Sequence, residues 1–185
     1  MTTPEPCRVL IMDDDTGQAR LAQRTLARVG YVVDLAPDGE VGLTQHAATP
    51  YDVLLIDHHM PGMGGLEVLE TLSTWGAIPP TIMVTGHGDE AVAVEAMKCG
   101  ASDYLVKDVE GRYLTLLPTV VARALQQRRL VEQKRQAEAA LQDTLATLEA
   151  RVRVRTADLQ QVNAHLRAEI TERQRAEAAL ARLSR

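Results

Sequence analysis

Residues 52–65 read DVLLIDHHMPGMGG, and the fold turns on how the first six of them are read. Val53-Leu54-Leu55-Ile56 is a short unbroken apolar run, the pattern of a strand buried on both faces, and it ends in Asp57. A carboxylate at the end of a buried strand needs a cation or a chemical task to offset its desolvation. Three similar runs supply partners. Arg8-Val9-Leu10-Ile11-Met12 leads into Asp13-Asp14-Asp15, Thr81-Ile82-Met83-Val84 ends at Thr85, and Asp103-Tyr104-Leu105-Val106 ends at Lys107. In an open parallel sheet the carboxyl ends of the strands share one edge, where ligands bind at the topological switch point. The acids, the hydroxyl and the ammonium are therefore expected to converge.

Working outward, the chain up to about Thr119 alternates short β-branched runs with helical stretches. Strands are expected at Arg8–Met12, Val32–Ala36, Val53–Asp57, Thr81–Thr85 and Asp103–Val106, with helices near Gly17–Val29, Asp38–Ala47, Gly65–Thr74 and Asp89–Cys99. Gly30 and Gly100 close the first and fourth helices, and Pro61-Gly62 breaks the chain after the third strand. This βα repeat with right-handed crossovers specifies a parallel sheet with helices on both faces. After Pro118 the pattern becomes one long helix without Gly or Pro through Arg185. Leu141, Leu145, Leu148, Val152, Leu159, Val162 and Leu166 fall on alternating four- and three-residue steps, with Arg155 at the one seam position that is not apolar. That is an a/d heptad seam. A seam so narrow on roughly 100 Å of helix, at 1.5 Å per residue, needs a second copy to bury it. After Leu166 the apolar residue is Ile170 rather than position 169, a four-residue stutter that locally unwinds a supercoil. The expected domains are thus 1–118 and 119–185.

Composition narrows the function classes. Residues 1–118 carry 7 Lys/Arg against 17 Asp/Glu and residues 119–185 carry 13 against 8, so a net charge of −5 conceals an acidic domain and a basic tail. The tail's charges alternate in sign and no aromatic residue accompanies them, so a solvated helical surface is expected and nucleic acid is not. No apolar run reaches the ~20 residues of a membrane span, and Met1 to Pro6 lacks the parts of a signal peptide, from which a cytoplasmic location is expected. Cys7 and Cys99 are too few and too far apart for a disulfide framework or a metal spacing.

Three acids, a hydroxyl and a lysine fit a small range of chemistry. Clustered carboxylates suit Mg²⁺, which takes octahedral oxygen coordination. An aspartate beside such an ion is a competent nucleophile toward phosphorus, with Lys107 neutralising the transferring oxygens and Thr85 hydrogen-bonding one of them. A metal hydrolase is the enzymatic rival, but no second acidic or histidine cluster suggests another metal. Taken singly, Asp13 to Asp15 are helix caps, Thr85 a strand end and Lys107 a surface charge. Those readings leave unexplained why four of five strand ends carry complementary polar groups. Asp15 is assigned to capping, which leaves Asp13 and Asp14 for the site.

The pieces VLIMDDD, DVLLIDHHMPGMGGLEVL, TIMVTGHGDE and AVEAMKCGASDYLVKD make residues 8–126 resemble a two-component response-regulator receiver domain. The resemblance implies a flavodoxin-like, doubly wound sheet of order 2-1-3-4-5. It further implies Asp57 as phosphoacceptor, Asp13 and Asp14 as the acidic pair, Thr85 and Tyr104 as the switch hydroxyl and aromatic, and Lys107 as the invariant lysine. Asp14, Asp57 and the backbone carbonyl of His59 would hold Mg²⁺, with Asp13 acting through water. Receivers of this kind carry proline after the lysine, often with a cis bond; here Asp108 follows Lys107. A cis bond without proline costs ~2.5–4 kcal/mol, so a trans bond and a differently shaped turn are expected.

The tail stretch LEARVRVRTADLQQVNAHLRAEITERQRAEAAL is similar to the signalling helices that precede sensor modules, histidine-kinase catalytic regions or cyclic-dinucleotide-synthesising domains. The implied function is Mg²⁺-dependent acceptance of a phosphoryl group from a phosphohistidine donor kinase or phosphotransfer protein, relayed through a parallel homodimeric coiled coil. Two alternatives stay open: the N-terminal regulatory part of a histidine kinase or cyclic-dinucleotide synthase whose catalytic domain lies beyond residue 185, and a dimerising scaffold with an inert receiver. No ATP-binding or other autonomous catalytic motif occurs in these residues. His58 and His59 are read as rim residues, Met60 and Met63 as packing under the loop, Trp75 as helix-end packing and His165 as a flank of the seam.

Overall fold

The computed structural model describes residues 6–76, 78–86, 90–108 and 110–183. The elements run β1 (Arg8–Met12), α1 (Thr16–Ala27), β2 (Val32–Ala36), α2 (Gly39–Ala48), β3 (Val53–Asp57), α3 (Gly65–Thr74), β4 (Thr81–Thr85), α4 (Glu90–Lys98), β5 (Asp103–Val106) and α5 (Tyr113–Leu183). The strands form one parallel sheet of order β2-β1-β3-β4-β5. All five expected strands are present with the expected bounds. The expected start of the fourth helix at Asp89 lies outside the described residues, as does residue 185.

The β3 run shows why the sheet closes on both sides. Val53 and Leu55 join Val9, Ile11, Ile82 and Val84 in a core against Leu26 of α1 and Leu117 and Val121 of α5. Leu54 and Ile56 point the other way, with Leu10 and Met12, against Leu43 of α2 and Val68 and Leu72 of α3. Met83 packs with Leu69 of α3 and Ala96 of α4. Alternate residues of one strand thus feed two cores, and each fully buried aliphatic side chain contributes ~1.5–3 kcal/mol. Gly30 and Gly100, both at φ +98°, end α1 and α4 in the same way. Gly30 N donates to the Ala27 carbonyl and Tyr31 N to that of Leu26, and Gly100 N and Ala101 N repeat the pattern on Met97 and Ala96.

Two features depart from expectation. First, α5 begins at Tyr113 and runs through Pro118 rather than starting after it. Proline deprives the Leu114 carbonyl of its amide partner, but burial of Tyr113 and Leu117 before it and Val120 and Val121 after it holds the helix across the break. Second, Asp108 itself supplies a helix contact, accepting from Tyr113 N at 3.0 Å. No cis peptide bond occurs among the described residues, so the Lys107–Asp108 bond is trans, as the absence of proline implies.

Packing separates two units, Met1–Val131 and Glu132–Arg185. The second is helical over its described residues, with exposed i,i+3 and i,i+4 ion pairs such as Arg135–Glu132 and Lys134–Glu138. Its seam residues are all exposed, from Leu145 at 50% to Leu159 at 61%. No helix of the described residues is long and apolar enough to cross a membrane.

Gly65 opens α3 directly behind the end of β3. A Cβ placed there would lie 2.5 Å from the Asp57 carbonyl oxygen and 3.1 Å from His58 Cα, both backbone atoms. Gly65→Ala is therefore expected to destabilise the first unit by ~1–3 kcal/mol, the usual cost of overpacking. Urea unfolding followed by the fluorescence of Trp75, the only tryptophan, measures it; an unchanged midpoint would show that β3 and α3 can separate freely.

Candidate functional site

Strand register brings the polar residues together. Met12 pairs with Ile56, so the residues that follow them, Asp13 and Asp57, lie side by side past the end of the ladder. Asp57 pairs with Val84 and Thr85 with Val106, which sets Thr85 one step beyond Asp57 and Lys107 one step beyond Thr85. Lys107 N donates to the Thr85 carbonyl at 2.7 Å and His58 N to that of Val84 at 2.9 Å, extending the sheet past its last paired residues.

The Lys107 ammonium is 2.9 Å from Asp13 Oδ2 and 3.0 Å from Asp57 Oδ1. Asp13 and Asp57 are buried, and one carboxylate oxygen from each of Asp13, Asp14 and Asp57 lies within 4.8 Å of the others. Burial pushes the Asp57 carboxyl above the ordinary aspartate range; Lys107 opposes this and the charges of Asp13 and Asp14 add to it. Burial alone would depress Lys107, but its hydrogen bond to Asp13 and the charge of Asp57 outweigh that and raise it. The ammonium is a fixed cation at this site.

The remaining expected residues occupy distinct places. Thr85 is 1% exposed, and its Oγ1 has no hydrogen-bond partner among the described residues. Asp14 is exposed at the rim. Asp15 caps α1, accepting from Gly17 N and Gln18 N, and these amides hold its carboxyl below the usual range, Gln18 first. Tyr104, 47% exposed on β5, is not drawn into the polar cluster. His59 is exposed, with its ring edge-on to His58 at 4.3 Å. Met60 and Met63 pack into the core beneath the β3–α3 loop, and Trp75 stacks on His46 at 6.4 Å.

Residue-by-residue reading did not identify Tyr113, Gln18 or Asp108 as neighbours of the site. Tyr113 is 7% exposed and, with Leu117, lines a cavity of ≈ 10 Å³ whose other walls include Asp13, Asp57 and Lys107. Its hydroxyl bonds Gln18 across 95 residues of sequence, a pairing that no local motif announces.

A family model described as the response regulator receiver domain matches residues 9–117. The regulatory protein AtoC of Escherichia coli K12 is 34% identical over 119 residues, which are 64% of this chain and 25% of that protein. FixJ of Bradyrhizobium diazoefficiens is 33% identical over 109 residues, 59% of this chain and 53% of that protein. The chain thus spans a quarter to about half the length of these curated relatives. Among solved structures, the N-terminal part of FixJ superposes with a TM-score of 0.59 at 32% identity, covering 68% of this chain and 96% of that one. A CheY-like receiver domain protein from Methanospirillum hungatei JF-1 gives 0.60 at 30% identity, covering 68% and 98%.

Because folded Asp57 holds a proton more readily than an unfolded aspartate, its ionised form costs stability at neutral pH, and the cost fades as pH falls through the raised value toward the ordinary one. Asp57→Asn is accordingly expected to stabilise the metal-free protein at pH 7, by an amount that shrinks on acidification. Lys107→Gln should move the Asp57 titration, followed by carboxyl ¹³C NMR, further upward. A downward move would mean that Lys107 is not the countercharge.

Proposed function

The chain belongs to the response regulator receiver domain family, and on that premise we propose that its receiver, residues 1–118, accepts a phosphoryl group on Asp57, while residues 119–185 pair two copies. Receiver domains take phosphate on aspartate from histidine kinases or phosphotransfer proteins. The observation that carries the assignment to Asp57 is the Lys107 contact at 3.0 Å on a buried carboxylate at the end of the central strand. A carboxylate oxygen of Asp57 attacks the donor's phosphorus as the N–P bond breaks. The imidazole leaves with the bonding electrons and takes up a proton. Lys107 stays beside the new phosphoryl oxygens and balances their charge.

The unpartnered Thr85 hydroxyl supports the same reading. An unsatisfied buried donor costs ~1–3 kcal/mol, a penalty that a phosphoryl oxygen would relieve. Mg²⁺ fits the donor set, which is all oxygen: Asp14, Asp57 and the His59 carbonyl would hold it, and it would supply further neutralisation of phosphoryl charge. Asp13 has both oxygens engaged, Oδ1 by Asp15 N at 2.9 Å and Oδ2 by Lys107 at 2.9 Å, which favours contact through water. Asp14, exposed at the rim, shows no such bond among the described residues. Tyr104, 47% exposed on β5, would follow Thr85 when the hydroxyl moves toward the phosphoryl group.

In the second unit, a parallel homodimer sets Leu141, Leu145 and Leu148 against their own copies and buries a stripe that one helix leaves open. Val152, Leu159, Val162 and Leu166 continue it. Arg155 and the stutter at Ile170 make the seam imperfect and so adjustable in twist or register, which suits a relay to an output.

Acetyl phosphate with Mg²⁺ is expected to add one phosphoryl group to the chain, read by intact mass, and none to Asp57→Asn. Equal labelling of the variant would place the acceptor elsewhere. Thr85→Val should keep labelling and raise the stability of the unphosphorylated chain by ~1–3 kcal/mol, because the buried hydroxyl it removes has no partner among the described residues. For the dimer, Leu145→Glu with Leu159→Glu should give a monomer by light scattering. A persistent dimer would move the interface to the receiver.

A further inference from the structure

The first turns of α5 form a wall of the pocket. Tyr113 and Leu117 line the same cavity as Asp13, Asp57 and Lys107, and its ≈ 10 Å³ is room for about one water. Two polar routes tie this wall to the acids. On one side Asp108, bonded covalently to Lys107, accepts through Oδ1 from Tyr113 N at 3.0 Å, and its carbonyl accepts from Gly111 N at 3.0 Å. On the other side Tyr113 Oη donates to Gln18 Oε1 at 3.3 Å, Gln18 Nε2 to Asp15 Oδ2 at 3.1 Å, and Asp15 N to Asp13 Oδ1 at 2.9 Å. Asp13 Oδ2 accepts from Lys107 at 2.9 Å and closes the ring. Asp57 is attached to that ring only through Lys107 in these contacts, at 3.0 Å.

We propose that Asp108 and Tyr113 are positioning residues that clamp the start of α5 to the phosphoacceptor pocket, so that the first turn of this helix reports how Lys107 is shared between Asp13 and Asp57. The proposal rests on Asp57 being the acceptor. A phosphoryl group brings more negative charge and more acceptor oxygens than a carboxylate, and charge-assisted hydrogen bonds are about twice as strong as neutral ones. Lys107 drawn to it leaves Asp13 Oδ2, and the ring opens at that bond. The arm Asp13–Asp15–Gln18–Tyr113 is then held from one end only. Lys107 N stays on the Thr85 carbonyl at 2.7 Å, so the β5 end is a fixed pivot and Asp108, one residue on, is where the change passes to the helix.

Charge in the pocket already reaches the Tyr113 hydroxyl. Burial raises it above the ordinary tyrosine range, Lys107 opposes, and Asp13, Asp57 and Asp15 add to the rise. The two ring states differ in named contacts, which is what a coupling between sites requires. Tyr104 takes no part in this ring; the clamp is a separate path from pocket to helix.

The test uses the full chain without metal and reads amide hydrogen exchange over residues 113–121. Asp57→Asn, which weakens the hold on Lys107, is expected to change exchange there by about twofold or more, the low end of coupling between contacting residues. In the Tyr113→Phe and Asp108→Ala backgrounds the same substitution should change it little, while Asp108→Asn, which keeps an acceptor oxygen, should restore the response. An equal response in every background overturns the clamp. A second arm adds acetyl phosphate and Mg²⁺ and normalises exchange to the labelled fraction found by intact mass. An unlabelled wild-type chain would overturn the acceptor reading alone, because the metal-free cycle still decides the clamp. A phosphorylation-dependent change of wild-type size in Tyr113→Phe would overturn the clamp alone.

Discussion

An ammonium group held between two buried carboxylates, Lys107 against Asp13 at 2.9 Å and Asp57 at 3.0 Å, is the constraint on which the carboxyl edge of this sheet depends. Like charges this close and this buried cannot both stay ionised without a cation between them. The lysine arrives at the end of β5, the acids at the ends of β1 and β3, and the order β2-β1-β3-β4-β5 sets these three ends along one edge of the sheet. Such a trio is weak evidence of stability, since burial costs each ion several kcal/mol before pairing returns it.

The same constraint links the two halves of the chain's chemistry and its mechanics. Gly65 lets α3 abut the Asp57 carbonyl, so the Asp57 backbone is wedged between strand and helix. Thr85 is buried, and its hydroxyl has no partner among the described residues. Above them α5 contributes Tyr113 and Leu117 to the cavity wall. Rearrangement of charge at Asp57 therefore meets a packed backbone on one side and a hydrogen-bonded helix start on the other, and discrete shifts are favoured over gradual ones.

Much of this is legible in the sequence. The five strands stand out because β-rich apolar runs of four or five residues, bounded by Gly, Pro and Asp, suit little else, and the polar residues at the ends of four of them follow from the same reading. Asp13, Asp57 and Lys107 converge as their strand positions imply, and Thr85 sits one register step beyond Asp57. What escaped is set by contacts between elements. Pro118 looks like a helix boundary, yet Tyr113 and Leu117 are buried before it and the helix runs through. Tyr113, Gln18 and Asp108 join the site through bonds that depend on how α5 lies against α1, and neither helix carries that information alone. Asp14 and Asp13 look alike in the sequence; only the structure shows that Asp13 is fully engaged and Asp14 exposed.

The central claim, that Lys107 is the shared countercharge of Asp57 and of the phosphoryl group it accepts, is tested most directly by a crystal structure of the full chain with Mg²⁺ and beryllofluoride, a mimic of an acyl phosphate. The mimic should be bonded to an Asp57 carboxylate oxygen, with Lys107 Nζ and Thr85 Oγ1 both within hydrogen-bonding distance of its fluorines and the Lys107–Asp13 contact lengthened. A mimic bound to Asp13 or Asp14, or one on Asp57 with Lys107 still seated on Asp13, would contradict it.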